Sequence, residues 1–245
     1  MPAKLILAIA AVVVIIAVVI AFSVLVQHEP KPAGSMEKNK MQQIEVGERI
    51  QLPEPRYDSE TSVEEALAQR RSIRDYADEN LTLDELSQLL WAAQGITAPW
   101  GGRTAPSAGA LYPLELYVVV GTVEGLESGV YRYRPQEHEL EKVKDGDARA
   151  ALADAALGQE FITDAAITIV FTAVYERTTA KYRERGIRYV YMEAGHAAQN
   201  VYLQAVALDL GTVTIGAFFD SDVKTVVGIQ EHENPVYIMP VGRKG

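Results

Sequence analysis

The chain has no cysteine among its 245 residues. That removes disulfide frameworks, thiolate metal sites, iron–sulfur clusters and cysteine nucleophiles together, and it leaves the redox compartment open. Positive charge is also scarce. Lys and Arg number 23 against 33 Asp and Glu, a formal net charge of −10, which argues against nucleic acid as a partner because phosphate binding needs a basic surface. No H-E-x-x-H, H-x-x-E-H or carboxylate cluster occurs, so no metal site is expected. No G-x-G-x-x-G follows a strand, and there is neither an internal repeat nor a regular βαβ alternation, so the pattern points to α+β and away from a Rossmann domain. The rest, 48% apolar and 23% charged, is ordinary for a folded protein. The length suits one sizeable domain with an appendage, or two small domains.

Polar residues are missing from the N-terminus. Leu5 to Val26 is apolar except for Ser23, and about 20 such residues span a bilayer as a helix. The run is longer than the roughly 7–15 residues of a signal-peptide core and ends without a small-residue cleavage site. Residues 1–27 are therefore expected to be an uncleaved single-pass membrane anchor. Lys4 precedes the run, while Lys31, Lys38 and Lys40 follow it among Glu29 and Glu37, so the side of the membrane is undetermined. Residues 28–58, polar and proline-punctuated, read as a linker, and residues 59–245 as the folded domain.

Within that domain, Thr61 with Glu64 and Ser62 with Glu65 are capping-box pairs opening a helix toward Arg70. Thr82 with Glu85 opens a second, carried by Leu83, Leu86, Leu89, Leu90 and Ala93 and stopped at Gly95. A Gly/Pro/Ser-rich loop covers Thr97 to Tyr112. Strands are expected at Leu114–Val120 and Tyr131–Tyr133, a short helix capped by Asp147 at Ala148–Leu157, and a central strand at Ala166–Ala173. Tyr189 to Leu210 is a long helix ending at Gly211. It is apolar around most of its girth, hence buried in a core or at a subunit interface. Strands at Val213–Ile215 and Val236–Val241, with a short helix at Asp222–Val227 between them, close the pattern.

Three segments could carry chemistry. Arg70-Arg71-Ser72-Ile73-Arg74 gathers guanidiniums whose forks suit bidentate phosphate contacts; the alternative is a solvated helix end offsetting the dipole. In Arg103 to Pro113, small residues around Gly109 let backbone approach a flat ligand; the alternative is a surface loop. Gly242-Arg243-Lys244 adds cations after a strand and says little alone. His196, lone within the long helix, reads as a hydrogen-bonded core residue before it reads as a catalyst.

Together these segments resemble the nitroreductase superfamily, and within it the SagB/ThcOx-type dehydrogenases, from about Ser62 to Lys244. The family's R-R-S-x-R is present as Arg70, Arg71, Ser72 and Arg74. Its P-S-A-G-A-L-Y-P loop is present as Pro106 to Pro113, and its E-A-G-H-x-x-Q-N helix as Glu193 to Asn200. Its G-L-G-x-x-x-I-G-x-F turn is matched from Asp209, which stands at the first glycine, through Ile215 and Gly216 to Phe218. Lys181 and Tyr182 fit a Lys-Tyr pair implicated in proton abstraction in azoline-oxidising members; the alternative is an exposed basic turn.

The resemblance implies an α+β nitroreductase-like fold, a central mixed sheet flanked by helices, here preceded by the one transmembrane helix expected from the N-terminal apolar run. It implies a homodimer with one FMN at each of two interfacial sites. Arg70, Arg71, Ser72 and Arg243 would hold the phosphate and Arg74 the N1/O2 edge. Pro106, Ser107, Ala108, Gly109 and Leu111 would pack on the flavin, and backbone at Ile215 and Gly216 would shape the N5 edge. Lys181 and Tyr182 would be catalytic. The activity implied is two-electron dehydrogenation of an azoline-like or other small molecule. The alternatives are NAD(P)H-dependent reduction of nitro, quinone or halo-aromatic compounds, and a flavin- or partner-binding scaffold without turnover.

Overall fold

A computed structural model of the chain describes residues 47–245, all within one compact unit. The expected anchor and most of the linker lie outside the described residues, among which no helix is long and apolar enough to cross a membrane.

One seven-stranded sheet organises the unit, in the order β1-β4-β3-β2-β5-β7-β6. Its strands are β1 (Arg49–Gln51), β2 (Leu114–Val120), β3 (Gly129–Arg134), β4 (Glu139–Asp145), β5 (Ile167–Ala173), β6 (Leu210–Thr212) and β7 (Asn234–Arg243). The helices are α1 (Val63–Gln69), α2 (Leu83–Gln94), α3 (Arg149–Ala155), α4 (Phe161–Asp164), α5 (Tyr175–Tyr182), α6 (Arg185–Ala207) and α7 (Asp220–Val227). Every pairing between these strands is antiparallel. The mixed character expected of the sheet is confined to one isolated parallel bridge, Leu81 to Val123. β2, β3 and β4 follow one another as a meander, and short connections permit only antiparallel neighbours.

Strand periodicity builds two cores. Leu116, Val118, Phe171 and Met239 face α2 and α6, meeting Leu86, Leu89, Leu90, Val190, Ala194, Ala197 and Val201. Their strand neighbours Tyr117, Val119, Val170 and Ile238 face α3 and α7, meeting Leu152, Val223 and Val227. Alternation in strands and a three-to-four spacing in helices produce both layers. β5 is buried at every residue between β2 and β7, as its β-branched run predicts.

Several boundaries move. Ser62, not Thr61, caps α1 through the Glu65 N–H, while Thr82 and Glu85 form the full capping box of α2. Arg49–Gln51 pairs with β4 and Leu52 is buried, so the folded unit begins inside the stretch read as linker. α6 starts a turn before Tyr189, and its C-terminal turn is taken by Asp209 at φ 55°, not by Gly211. Gly95 ends α2 in extended conformation; glycine is needed there because a Cβ would lie 2.2 Å from Cδ1 of Trp91. The sequence reading left β4 and α5 unassigned: β4 buries only Leu140, too little for periodicity to show.

Candidate active site

Arg70 terminates α1 with ψ 122°, which turns the chain along the β6–β7 edge, where the Ile73 N–H donates to the Thr212 carbonyl at 2.9 Å. The approach is close: a Cβ on Gly211 would sit 2.7 Å from Ile73 Cγ2. Ser72 Oγ then lies 3.1 Å from Tyr202 Oη. The same phenolic oxygen accepts the Thr214 N–H at 2.9 Å, and the Arg70 guanidinium lies 5.2 Å from the ring centroid. Burial alone would raise the Tyr202 hydroxyl; the bonds from Ser72 and Thr214 and the Arg70 charge outweigh it and bring it below the usual tyrosine value. Tyr202 thus ties the arginine segment to the strand leading into Ile215 and Gly216.

The basic residues divide. Arg70, Arg71 and Arg74 pair with no carboxylate among the described residues. Arg74 stands 5.8 Å over the Phe161 ring. Arg71 caps the helix end, donating to the carbonyls of Ala68 at 3.0 Å and Arg70 at 2.7 Å, which is the dipole-offsetting role. Arg243 is held at 2.7 and 3.0 Å by the two oxygens of Glu85. Ile215 exchanges both backbone hydrogen bonds with Ile238, at 2.8 and 3.0 Å, so its N–H is committed. Gly216, next along, borders an open recess of about 650 Å³ lined by Tyr175, Glu176, Tyr191, Phe218 and Asp220 among others.

The second group of predicted residues gathers elsewhere. Ala108–Ala110 forms a 3-10 turn in which Gly109, Ala110 and Tyr112 all have positive φ, 66°, 53° and 44°. Ser107 holds it: its carbonyl accepts the Ala110 N–H at 3.1 Å and its Oγ the Tyr112 N–H at 2.9 Å. A Cβ on Gly109 would meet Tyr182 Oη at 2.8 Å and Lys181 Nζ at 3.0 Å, so the Lys-Tyr pair closes directly on the turn. Lys181 is exposed and Tyr182 half-buried.

Sequence reasoning named Glu193 only as the start of the 193–200 motif, without a role, and missed Tyr202 and a buried ion network. Glu193 on α6 is 2% exposed and its Oε1 has no hydrogen-bond partner. Burial raises its carboxyl to about 7, against the opposing pull of the Ser107 hydroxyl and the Arg103 charge. In the network, Arg132 bridges Glu115 at 3.1 Å and the fully buried Glu233 at 3.0 Å. Thr172 Oγ1 donates to Glu233 at 2.8 Å. Arg177 of α5 joins Glu115 and donates to the Tyr112 carbonyl. Burial pushes Glu115 up, but Arg132 and Arg177 more than reverse it. His196 is exposed, not a core residue, because α6 turns that face to the outside.

The two groups are separated within the chain: Glu193 and Tyr202, which mark them, are nine residues apart on α6, about 13.5 Å along the axis at ~1.5 Å per residue. Among the described residues no three His, Asp or Glu cluster as metal ligands.

Known proteins similar to this chain place it in a family. A nitroreductase-type protein of Methanocaldococcus jannaschii is 50% identical over 195 residues, 80% of this chain and 96% of that protein. A nitroreductase-type structure from Anabaena variabilis superposes with a TM-score of 0.72 at 36% identity, covering 81% of this chain but 42% of the other. The microcin B17-processing protein of Escherichia coli is more distant, 28% identical over 164 residues, and the chain spans 60% of its length. The pattern of the Nitroreductase family matches residues 67–243. With that match spanning β2 to β7, the arginine segment, the turn at Gly109 and Arg243, the chain belongs to the nitroreductase family of oxidoreductases.

Proposed function

We propose that the protein is an FMN-dependent oxidoreductase of the SagB/ThcOx dehydrogenase type, removing a hydride and a proton from a small-molecule substrate. The observation that carries this reading is the convergence of Lys181 Nζ and Tyr182 Oη on Gly109, at the turn the family packs against flavin.

The residues present suit FMN. Unpaired guanidiniums beside the Ser72 hydroxyl form a cradle for a phosphate dianion in a chain that is otherwise acidic, and charge-assisted bonds there are the strong ones. Bound flavin would supply a hydride acceptor and donor at N5. Arg70 and Ser72 would hold the phosphate, with Arg243 available only if it leaves Glu85. Gly216 backbone would border the ring edge, Lys181 would accept the substrate proton and Tyr182 would orient it. Lys181 is exposed in the protomer, so the desolvation a base needs has to come from flavin, substrate or a second copy. A homodimer supplies it: α6 exposes Ile187, Tyr191 and Met192, and a second chain would bring its Gly109 turn to the first chain's arginines. Residues 1–27 would anchor this dimer to a membrane.

The second reading is NAD(P)H-dependent reduction of nitro, quinone or halo-aromatic compounds. The recess of about 650 Å³ beside Gly216 has the room for a planar acceptor, and the 50%-identical relative carries a nitroreductase name.

The visible spectrum of the purified protein tests the shared premise. Bands near about 375 and 450 nm are expected of bound isoalloxazine; protein that stays colourless after incubation with FMN would remove both readings. Steady-state turnover then separates them. Rapid NAD(P)H oxidation with a nitroaromatic favours the second, and Lys181→Ala that keeps flavin but loses dehydrogenation favours the first. Recovery of the full chain in the membrane fraction, lost on deleting residues 1–27, tests the anchor.

A further inference from the structure

We propose that Arg177 is a positioning residue whose guanidinium clamps α5 to the Ser107–Tyr112 turn and so sets Lys181 and Tyr182 against Gly109. The catalytic meaning of the clamp rests on the proposed function, in which Lys181 accepts the substrate proton, but the clamp itself is a property of the chain.

Burial does little to orient α5: of its eight residues, Tyr175–Tyr182, only Thr178 is buried. Its first attachment is to the sheet edge, where the Val174 N–H donates to the Pro113 carbonyl at 2.9 Å. Its second is to α6. Gly186 lets the two backbones touch there, since a Cβ on it would lie 2.9 Å from Cα of Thr179. Both are backbone contacts close to the helix axis, so they restrain a roll of α5 weakly, and a small roll moves the tip of a long side chain far. Tyr182 leans on the Tyr189 ring, centroids 5.1 Å apart. Lys181 makes no ion pair among the described residues, so its place follows the helix that carries it.

Arg177 supplies the missing restraint. Its Nη1 donates to the Tyr112 carbonyl at 2.9 Å and its Nη2 to the Glu115 carboxylate, so one planar fork grips the end of the turn and the strand that follows it. A fork fixes angle as well as distance, which a point charge does not. The carboxylate it grips is itself held: Arg132 meets Glu115 at 3.1 Å and Glu233 at 3.0 Å, and Thr172 donates to Glu233 at 2.8 Å. Lys181 lies four residues beyond Arg177, on the same face of the helix. The roll that points Arg177 at Tyr112 therefore also brings Lys181 Nζ and Tyr182 Oη to 3.0 and 2.8 Å from where a Cβ on Gly109 would be. The turn is secured in return, since Ala110 and Tyr112 hold positive φ and L-residues keep such angles only where surrounding contacts over-determine them. A pair whose arginine side chain is 37% exposed adds little stability, so the effect of Arg177 is on placement.

Hydrogen exchange in the full chain without FMN tests the clamp, and turnover of the FMN-loaded chain tests its use. The amides to follow are Ala110 and Tyr112 in the turn and Arg183, which donates to the Thr179 carbonyl at the end of α5. Arg177→Ala should lower their protection on the order of tenfold, the scale of a lost charge-assisted hydrogen bond, while β5 keeps its own. With phenylthiazoline as the probe and dioxygen as the final electron acceptor, kcat for thiazole formation should fall by up to about 100-fold, the scale of a ~1 Å misplacement. KM and the FMN Kd should change little, because neither ligand is held by Arg177. Arg177→Lys, which keeps the charge but not the fork, should recover part of both losses. Glu115→Gln should cost less on top of Arg177→Ala than it does alone. Unchanged protection in Arg177→Ala, protection lost equally in β5, or a loosened turn with kcat undiminished although Lys181→Ala abolishes it, overturns the proposal. Should the protein bind no FMN, leave the thiazoline unoxidised or keep its turnover in Lys181→Ala, the proposed function falls while the FMN-free exchange still decides whether Arg177 holds α5 to the turn.

Discussion

Two carboxyl groups, Glu233 and Glu193, are buried in the same sheet-and-helix unit, 0% and 2% exposed, and they are treated in opposite ways. Glu233 is met by Arg132 at 3.0 Å and by the Thr172 hydroxyl at 2.8 Å, inside a network that runs through Glu115 to Arg177. Glu193 has no ion-pair partner among the described residues, although an Oε1 without a hydrogen bond is common to both. Satisfied charge holds strands and α5 together; charge without an ion-pair partner collects at the residues proposed to hold flavin. Arg70 and Arg74 repeat the lesson with opposite sign, since they lack carboxylates while Arg132, Arg149, Arg177 and Arg243 have them.

The largest expected effect breaks the satisfied side. Glu233→Ala removes one of the two carboxylates that meet the Arg132 guanidinium and leaves it Glu115, so it should cost up to about 3–5 kcal/mol in chemical denaturation, the range for breaking a buried pair. Replacing Glu233 by Gln and Arg132 by Met together should cost less than the single change, because no uncompensated charge remains. A Glu233→Ala protein within ~1 kcal/mol of wild type would show that the network contributes specificity and little stability.

On the unsatisfied side, Arg70→Ala should weaken FMN binding by about 1.5–3 kcal/mol, the size of a charge-assisted contact, read as roughly 10- to 100-fold in Kd by flavin fluorescence. Arg243→Ala should weaken it less, because that guanidinium is held by Glu85. Equal losses would mean that Arg243 leaves Glu85 on binding. Stability against pH sharpens the contrast at Glu193. Its folded value, about 7, lies above the ordinary glutamate value of 4.5, so the native state binds the extra proton. The stabilisation is complete below the unfolded value, declines as pH rises from there to about 7, and is gone above it. Glu193→Gln should therefore melt with the wild type near pH 4 and be more stable at pH 8, by on the order of 1 kcal/mol after discounting for solvent screening.

The layers were legible because apolar periodicity is local: Leu116 and Val118 alternate with Tyr117 and Val119, and the Thr82–Glu85 box marks α2 within four residues. The Arg70–Arg74 and Pro106–Pro113 segments were legible because their residue types are unusual in company. Tyr202, Glu193 and Glu233 were not. Tyr202 matters through Ser72, 130 positions away, and Glu233 through Thr172 and Arg132, on strands that periodicity places in a layer but not in register. His196 was misread for a related reason: apolar and small residues around most of α6 hide which face the sheet covers. β1 and β4 are edge-side strands with few buried side chains, so the pattern that betrays a strand is weak in them.

The smallest effect is expected at Asp209, where a satisfied charge sits on a strained backbone. Its carboxylate accepts from Lys244 Nζ at 2.6 Å while 91% exposed, and the Lys244 hydrogen bond holds it below the usual carboxylate range. An ion pair so exposed is worth about 0–1 kcal/mol. Its φ of 55° is one that glycine adopts freely and aspartate tolerates at a modest cost. Asp209→Gly, which restores the glycine of the family's turn, relieves that cost but loses the ion pair and gives the unfolded chain more freedom, a difference of about 0.4–1 kcal/mol. These contributions nearly cancel, so the variant should lie within about 0.5 kcal/mol of wild type, the range of an ordinary surface change. A loss well beyond that would mean the Lys244 pair fixes the C-terminal end of β7, where Arg243 meets Glu85, and that even an exposed satisfied charge can position the site.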